Sequence, residues 1–428
     1  MNLETMSVEK LASLYNTLKN DPNFDDSIPD DDALSDHDPV DSTFDDSAID
    51  GYYIGMMSGT SLDALDAVLC RFVNNPERPL EIIATHSRPF APELRMLLLA
   101  LCTPNGTKQI AQGKFAGLSE LDFWGLGSRL YGEFASEVVL ELLDKTDLTA
   151  DDIVAIGCHG QTVRHRPNLG FSLQLLDPNV LAERTAITVV SDFRRRDMAV
   201  GGQGAPLVPA FHQAIFGQND EPDSVQVVLN LGGIANITVL GETVTGYDTG
   251  VANLLLDAWA DRHLGVPFDK NGDWAKSGAV DFGLLDRLMS HEFLQLPAPK
   301  STGREAFNLA WLDSVLSEFE LSAQDVQATL CEFTALSASR EIDKFAKSQN
   351  TLFVCGGGAY NLHLLSVLER LLPDWHVCTT ALVGISPSWV ESCAFAWLAR
   401  QSILMQSGNV PAVTGAACGV VLGQVCFA

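Results

Sequence analysis

An α/β protein of two related lobes is the fold class that the sequence predicts, and three turns rich in small residues predict it. Residues 52–57 (YYIGMM) read as a strand, Ser58-Gly59-Thr60-Ser61 as a tight polar turn, and 65–72 (LDAVLCRF) as a returning strand. The device recurs at 225–230 (VQVVLN), with Leu231-Gly232-Gly233 as the turn and 234–240 (IANITVL) as the return. Amide N–H groups in such tips can cup a phosphate, and hydroxyls add donors. Either copy alone is an ordinary hairpin; one opening each half of the chain points to two lobes facing each other across a nucleotide. The third turn is Gly356-Gly357-Gly358-Ala359, between a strand at 351–354 (TLFV) and a helix at 362–372 (LHLLSVLERLL). Its missing side chains let a nucleoside or phosphate approach the backbone, and the helix end favours anions. Gly-x-Gly-x-x-Gly spacing and a later acidic residue are absent, so a dinucleotide fold is not supported, and there is no Gly-Lys-Ser/Thr P-loop signature.

The expected organisation is an acidic extension over 1–50, a first lobe over 51–205 and a second over 206–428, whose last helix packs back on the first lobe. The extension carries a candidate amphipathic helix at Leu11, Leu14, Tyr15 and Leu18. From Asp21 to Asp50 it is Asp-, Ser- and Pro-rich without a Lys or Arg, and such a segment repels itself and buries little. A disordered tail is expected there, with a docking peptide as the sharper alternative.

With a net charge of -28 the chain is a poor partner for nucleic acid or an anionic membrane. Its nine cysteines form no Cys-x-x-Cys pair, which argues against a disulfide framework or structural zinc. Neither a basic-apolar leader nor a bilayer-length apolar run is present, so the expected compartment is a reducing cytoplasm.

Between the turns lie the segments that carry chemistry. A strand at 154–156 leads into the polar run Gly157-Cys158-His159-Gly160-Gln161-Thr162-Val163-Arg164-His165-Arg166-Pro167, which offers both donors and acceptors. That mixture suits a sugar with hydroxyl and carboxylate groups. For His159 and His165 the plain alternative is a pair of loop histidines. Residues 171–179 (FSLQLLDPN) read as a strand ending at Asp177-Pro178, and 185–190 (TAITVV) as a buried strand. Asp192 would then stand where a strand ends and a loop opens into a cleft. Arg194, Arg195 and Arg196 follow at once, then Gly201, Gly202 and Gly204. Cations near a carboxylate favour its charged form, which suits a base, although a charged surface turn reads equally well. Downstream, Asp248 is placed at a turn before a helix over 251–263. Thr302 and Glu305 have capping-box spacing ahead of a helix carrying Phe307, Leu309, Trp311 and Leu312. Glu391, in an otherwise apolar helix, is either a carboxylate held at the cleft wall or a surface residue.

Taken together, GMMSGTSLDALD, CHGQTVRHRP, DPNVLAERTAITVVSDFRRRDMAVGGQGAPLVP, LNLGGIANIT, KSTGREAFNLAWL and CGGGAYN resemble the anhydro-N-acetylmuramic acid kinases, from about Tyr52 to about Gly423. The resemblance implies the actin-like, sugar-kinase and heat-shock-ATPase fold. It implies an enzyme that uses ATP and water to open 1,6-anhydro-N-acetylmuramate, giving N-acetylmuramate 6-phosphate and ADP. Asp192 falls on the family's catalytic aspartate. Gly59, Thr60, Ser61, Leu62, Asp63, Ala64, Leu65 and Asp66 fall on its ATP-phosphate loop, with Gly232, Gly233, Gly356, Gly357 and Gly358 as further ATP contacts. The sugar is expected to meet His159, Gln161, Thr162, Arg164, Asp177, Asn179 and Glu391. ATP and Mg2+ are the expected cofactors, the ion falling to Asp63, Asp66 or Asp248. The expected partners are small molecules, with no nucleic acid and no membrane; a homodimer is compatible. Three positions depart from the family pattern: Ala64 and Leu176 stand where glycines are usual, and Val251-Ala252-Asn253 follows Asp248-Thr249-Gly250. A kinase of another amino or acidic sugar without ring hydrolysis, and a nucleotide-binding regulator without turnover, are the alternatives.

Overall fold

Small-residue turns and short apolar runs, buried almost continuously in the central strands, set up two mixed sheets with the same strand order. The computed structural model describes residues 50–59, 62–73, 79–112, 115–217, 223–241 and 243–428; the acidic extension, Thr60 and Ser61 lie outside the described residues. The strands are β1 (Gly51–Met57), β2 (Ala64–Phe72), β3 (Leu80–Pro89), β4 (Ile153–Cys158), β5 (Gln161–Arg166), β6 (Phe171–Leu175) and β7 (Val189–Ser191). They continue as β8 (Ser224–Leu231), β9 (Ile234–Leu240), β10 (Thr245–Val251), β11 (Gln349–Cys355), β12 (His376–Thr379) and β13 (Gln424–Cys426).

In the first sheet β1, β2 and β3 form an antiparallel meander, and β4 and β7 add in parallel beside β1. The second sheet repeats this: β8, β9 and β10 meander, then β11 and β12 run parallel beside β8. Numbered within each sheet the order is 3-2-1-4-5 twice over, the duplicated arrangement of an actin-like fold. β13 extends the first sheet by pairing antiparallel with β7, and β5 and β6 form a separate hairpin.

Helix Val390–Ile403 is apolar on nearly every side, as a helix enclosed between layers must be. Cys393, Phe395 and Trp397 share a core with Tyr53 and Val190 of the first sheet and Val228 and Phe353 of the second. Its backbone rests directly on β1 and β4 through two glycines: a Cβ on Gly55 would stand 1.9 Å from the Ser392 carbonyl oxygen, and one on Gly157 2.0 Å from that of Phe395. No larger residue permits this contact. Among the described residues no helix is long and apolar enough to cross a membrane.

Several local expectations are corrected. Thr185 ends helix Pro178–Thr185, whose cap is Asp177, so the buried strand begins only at Val189. The polar run after Gly160 is itself β5. Asp248 lies within β10, and the helix after it starts at Asn253. The helix expected near 307 starts at Leu309, where the Asn308 side chain, not Thr302, caps it by accepting from the Trp311 amide.

Candidate functional site

The central feature is the abrupt end of β7. After Ser191 the chain turns left-handed at Asp192 (φ 57°, ψ 47°) and at once enters helix Phe193–Ala199. Such a conformation costs a non-glycine residue about 1–2 kcal/mol, so surrounding contacts must hold it. Phe193 is buried on one side, and on the other Arg195 donates from Nε to Asp192 Oδ2 at 2.6 Å and also from Nη2. Arg195 is held above the ordinary guanidinium range chiefly by that bond. Asp192 is 15% exposed and borders a cavity of about 600 Å³, which Trp124, His159, Arg164, Gln174 and Arg195 also line. That volume suits a monosaccharide and water.

His159 is buried at this cavity, and its Nε2 accepts from Arg194 Nε at 3.1 Å and Nη2 at 2.9 Å. The neutral ring therefore carries its proton on Nδ1, an assignment made from the network. Burial first, then the Arg194 charge, holds His159 well below the ordinary histidine range. Arg194 also donates to the Gly204 carbonyl at 2.8 Å and faces a second cavity of about 590 Å³. Burial lowers Arg194 to about 10, and Glu391 and Asp197 oppose the shift. Glu391 projects into the second cavity from the first turn of helix Val390–Ile403. Its carboxyl is pushed up by burial, pulled down by Arg194 and pushed up again by Asp66. Asp66 is itself raised by burial, with Ser87 opposing. Two desolvated carboxylates and one guanidinium thus share one charge field, with the buried histidine between that field and the first cavity.

The strands that lead into the three turns reach the second cavity, which Met57, Asn230 and Cys355 also line. Leu62 is buried with φ 57°, and its carbonyl accepts from Arg95 Nε at 2.8 Å. Asp63 is exposed and lies 3.5 Å from Arg95 Nη2, while Ala64, Leu65 and Asp66 pair with β3. Residues 64–66 of the expected loop therefore belong to β2, and Leu62 and Leu65 point into the core. The Gly232 and Gly233 carbonyls accept the first amides of helix Asn253–Leu264, from Ala252, Asn253 and Leu254 at 2.9–3.2 Å. Gly356 has φ 80°, and a Cβ there would meet Asn230 Oδ1 at 2.5 Å, so its bare backbone lies hard against the β8 end. Gly357 and Gly358 line a third cavity of about 410 Å³ with Asn253, Asp257, Phe268 and Tyr360.

The expected sugar contacts separate into two groups. His159 and Arg164 line the first cavity, where Arg164 Nη2 donates to Glu120 Oε1 at 3.1 Å; Glu391 lines the second. Gln161 is buried away from both: its Oε1 accepts from Ser58 Oγ at 2.8 Å, and Ser58 Oγ lies 2.9 Å from the Tyr131 hydroxyl, which braces the first hairpin. Thr162 Oγ1 accepts from Gln174 at 3.1 Å, Asp177 caps its helix, and Asn179 meets Cys426. Asp248 is engaged by Ser301 Oγ and the Thr302 amide, both at 2.9 Å. The sequence reading missed Trp124, which nothing in its local pattern marks. It also missed Asp197, a fully buried carboxylate that accepts from the Gly204 amide, Asn409 Nδ2 and Thr414 Oγ1 at 2.7–2.8 Å.

A family model for anhydro-N-acetylmuramic acid kinase matches residues 51–428. The chain is 55% identical over 408 residues to the anhydro-N-acetylmuramic acid kinase of Psychrobacter cryohalolentis, covering 89% of this chain and 95% of the relative. It is 49% identical over 378 residues to that of Shewanella sp. (strain MR-4), covering 87% and 97%. Among solved structures, the activator of 2-hydroxyisocaproyl-CoA dehydratase from Clostridium difficile with bound ADPNP is similar with a TM-score of 0.41 and 14% identity, covering 82% of this chain and 96% of that one. With a model match across the whole described fold and relatives at this identity, the chain belongs to the anhydro-N-acetylmuramic acid kinase family.

Proposed function

We propose that the site carries out the reaction that names the family: ATP and water open 1,6-anhydro-N-acetylmuramate and give N-acetylmuramate 6-phosphate and ADP. The observation that carries this reading is Asp192, held left-handed at the edge of a sugar-sized cavity with Arg195 on its carboxylate. Asp192 takes a proton from a water that attacks the anomeric carbon. The bond from that carbon to the bridging oxygen breaks, and the released O6 attacks the γ-phosphorus, expelling ADP. Positioning supplies much of the rate, because attack and transfer proceed in one arrangement. The sugar's carboxylate goes to Arg164, and the face of Trp124 packs against its ring. His159, committed through Nε2 to Arg194, acts as a strut between the sugar and phosphate sides.

Membership of a kinase family implies ATP use. The nucleotide is assigned to the turns at 58–63, 232–233 and 356–358, Thr60 and Ser61 included. A cradle there is supported by Gly356 and Gly358, where a Cβ would stand 2.5 Å from neighbouring atoms. Mg2+ is assigned with it. Among the described residues no group of three or more His, Cys, Asp or Glu forms a metal site, and an ion carried on phosphates needs only one or two carboxylates. Asp66 and Glu391 fit that need; Asp63 is paired with Arg95 and Asp248 is already engaged. The ion would neutralise charge on the transferred phosphoryl group. Lobes over 51–205 and 206–428, a cytoplasmic location and a homodimer complete the proposal.

The test is ADP release with 1,6-anhydro-N-acetylmuramate, N-acetylmuramate and N-acetylglucosamine. Only the first should support turnover, and Asp192→Asn should lower it about a hundred- to ten-thousandfold. Turnover of the variant within threefold of wild type would remove Asp192 from the role.

A further inference from the structure

The third cavity holds a carboxylate that no described residue engages. Asp257 stands on helix Asn253–Leu264 and lines this cavity, and its side chain has no hydrogen-bond or ion-pair partner among the described residues. Of the polar groups around it, Lys270 and Asn271 have no side-chain partner among the described residues, and the others are engaged. Asp269 accepts from the Trp274 and Ala275 amides, each at 2.9 Å. Asn361 Oδ1 caps its helix at the Leu364 amide, 3.0 Å away, and Asn253 Nδ2 donates to the Leu231 carbonyl at 2.9 Å. A half-buried carboxylate left with two open oxygens is suited to a ligand that brings two adjacent donors. Burial alone pushes Asp257 up to about 7, as expected of a carboxyl lacking donors.

Its position says which part of a nucleoside it meets. Asn253 Oδ1 would lie 3.0 Å from a Cβ on Gly358, so Asn253 marks the level of the glycine turn, which is placed here beside the α-phosphate. Asp257 is four residues further on the same helix face, about 6 Å along the axis. That is roughly the step from an α-phosphate to the ribose hydroxyls, and the base lies beyond. The rings available to cover a base are Phe268 and Tyr360, 56% and 49% exposed at the same cavity.

We infer that Asp257 reads the ribose of the nucleotide, accepting from its 2′- and 3′-hydroxyls, and so selects ribonucleotides while leaving the base unread. This rests on the nucleotide assignment made above and deepens it. Hydrogen bonds to a charged group are worth enough to set about a ten- to hundredfold discrimination.

The test measures binding of ADP and 2′,3′-dideoxy-ADP to the whole protein by calorimetry, and KM for ATP, dideoxy-ATP and GTP by product release. Wild type should bind ADP ten- to a hundredfold more tightly than the dideoxy analogue, with kcat nearly equal for ATP and dideoxy-ATP. Asp257→Ala should weaken ADP to the level of the analogue and leave the analogue unchanged, which a merely structural loss would not do. Asp257→Asn should fall between. Equal wild-type affinity for ADP and its dideoxy form, or an Asp257→Ala effect of the same size on both, overturns the assignment. A change in the ATP-to-GTP ratio in Asp257→Ala would show that the carboxylate reads the base instead, and overturns it too. Failure of wild type to bind ADP at all would overturn the parent reading along with it.

Discussion

Adding one methyl group at Gly55 tests how the buried helix positions the site. In Gly55→Ala the new Cβ stands 1.9 Å from the Ser392 carbonyl oxygen and 2.5 Å from the Ala396 amide nitrogen. Ordinary contact needs about 3.5 Å, so helix Val390–Ile403 must retreat by roughly 1.5 Å or β1 must buckle by as much. Neither atom is the end of a flexible side chain, so no rotamer change relieves the clash. Overpacking of this kind costs about 1–3 kcal/mol, and backbone on backbone places Gly55→Ala at the upper end. Glu391 precedes Ser392 on the same turn, so the retreat moves its carboxylate away from Arg194 and Asp66. A displacement near 1 Å at a reacting centre costs about a hundredfold in rate. Urea denaturation and ADP release at saturating substrates measure the two effects separately. If Gly55→Ala keeps both its denaturation midpoint and its turnover within error of wild type, the helix does not register the site through this contact.

Two further outcomes follow from buried groups. Among the described residues His212 is hydrogen-bonded only at Nδ1, 2.9 Å from Thr238 Oγ1, and burial lowers it to about 3. The unfolded chain therefore binds a proton below about pH 6.5 that the folded one refuses, and stability falls as pH drops from about 6.5 towards 3. Between pH 7 and pH 5 this amounts to about 2 kcal/mol, so denaturation of His212→Leu should lose about that much less than wild type over the interval; equal losses would refute it. Asp197→Ala strands the Gly204 amide, Asn409 Nδ2 and Thr414 Oγ1 in a buried setting, and should cost about 3 kcal/mol or more in a urea titration. A loss below about 1 kcal/mol would mean that water replaces the carboxylate.

What the sequence makes legible is what local chemistry decides. The hairpins β1–β2 and β8–β9 and the turn after β11 announce themselves because small residues end each apolar run. The run 185–190 misleads because its apolar character is continuous across a helix end, a left-handed residue at Ala186 and a strand. Asp177-Pro178 did carry the signal, a capping side chain followed by proline at the first helical position, yet it reads equally well as a strand end. Asp248 resembles a turn carboxylate because glycines flank it; its true partners, Ser301 and Thr302, come from a distant segment that no local pattern reveals. Gln161 looks like a sugar contact by composition, and only the packing of Ser58 and Tyr131 turns it inward. Asp192 is legible by resemblance, but the arginine that takes its carboxylate, as against the one that reaches His159, is decided by where the following helix points.

The pairing of β13 with β7 bears on the order of assembly. During synthesis the strand leading to Asp192 emerges early, with β4 on one side and an unfilled hydrogen-bonding edge on the other. Its second neighbour is translated only after the entire second sheet. Asn409 and Thr414, which fasten the buried Asp197, are equally late. A ribosome-bound chain lacking this final stretch holds Asp192 on an unfinished border, so the setting of that residue is completed last, by non-local closure of the kind that folds slowly.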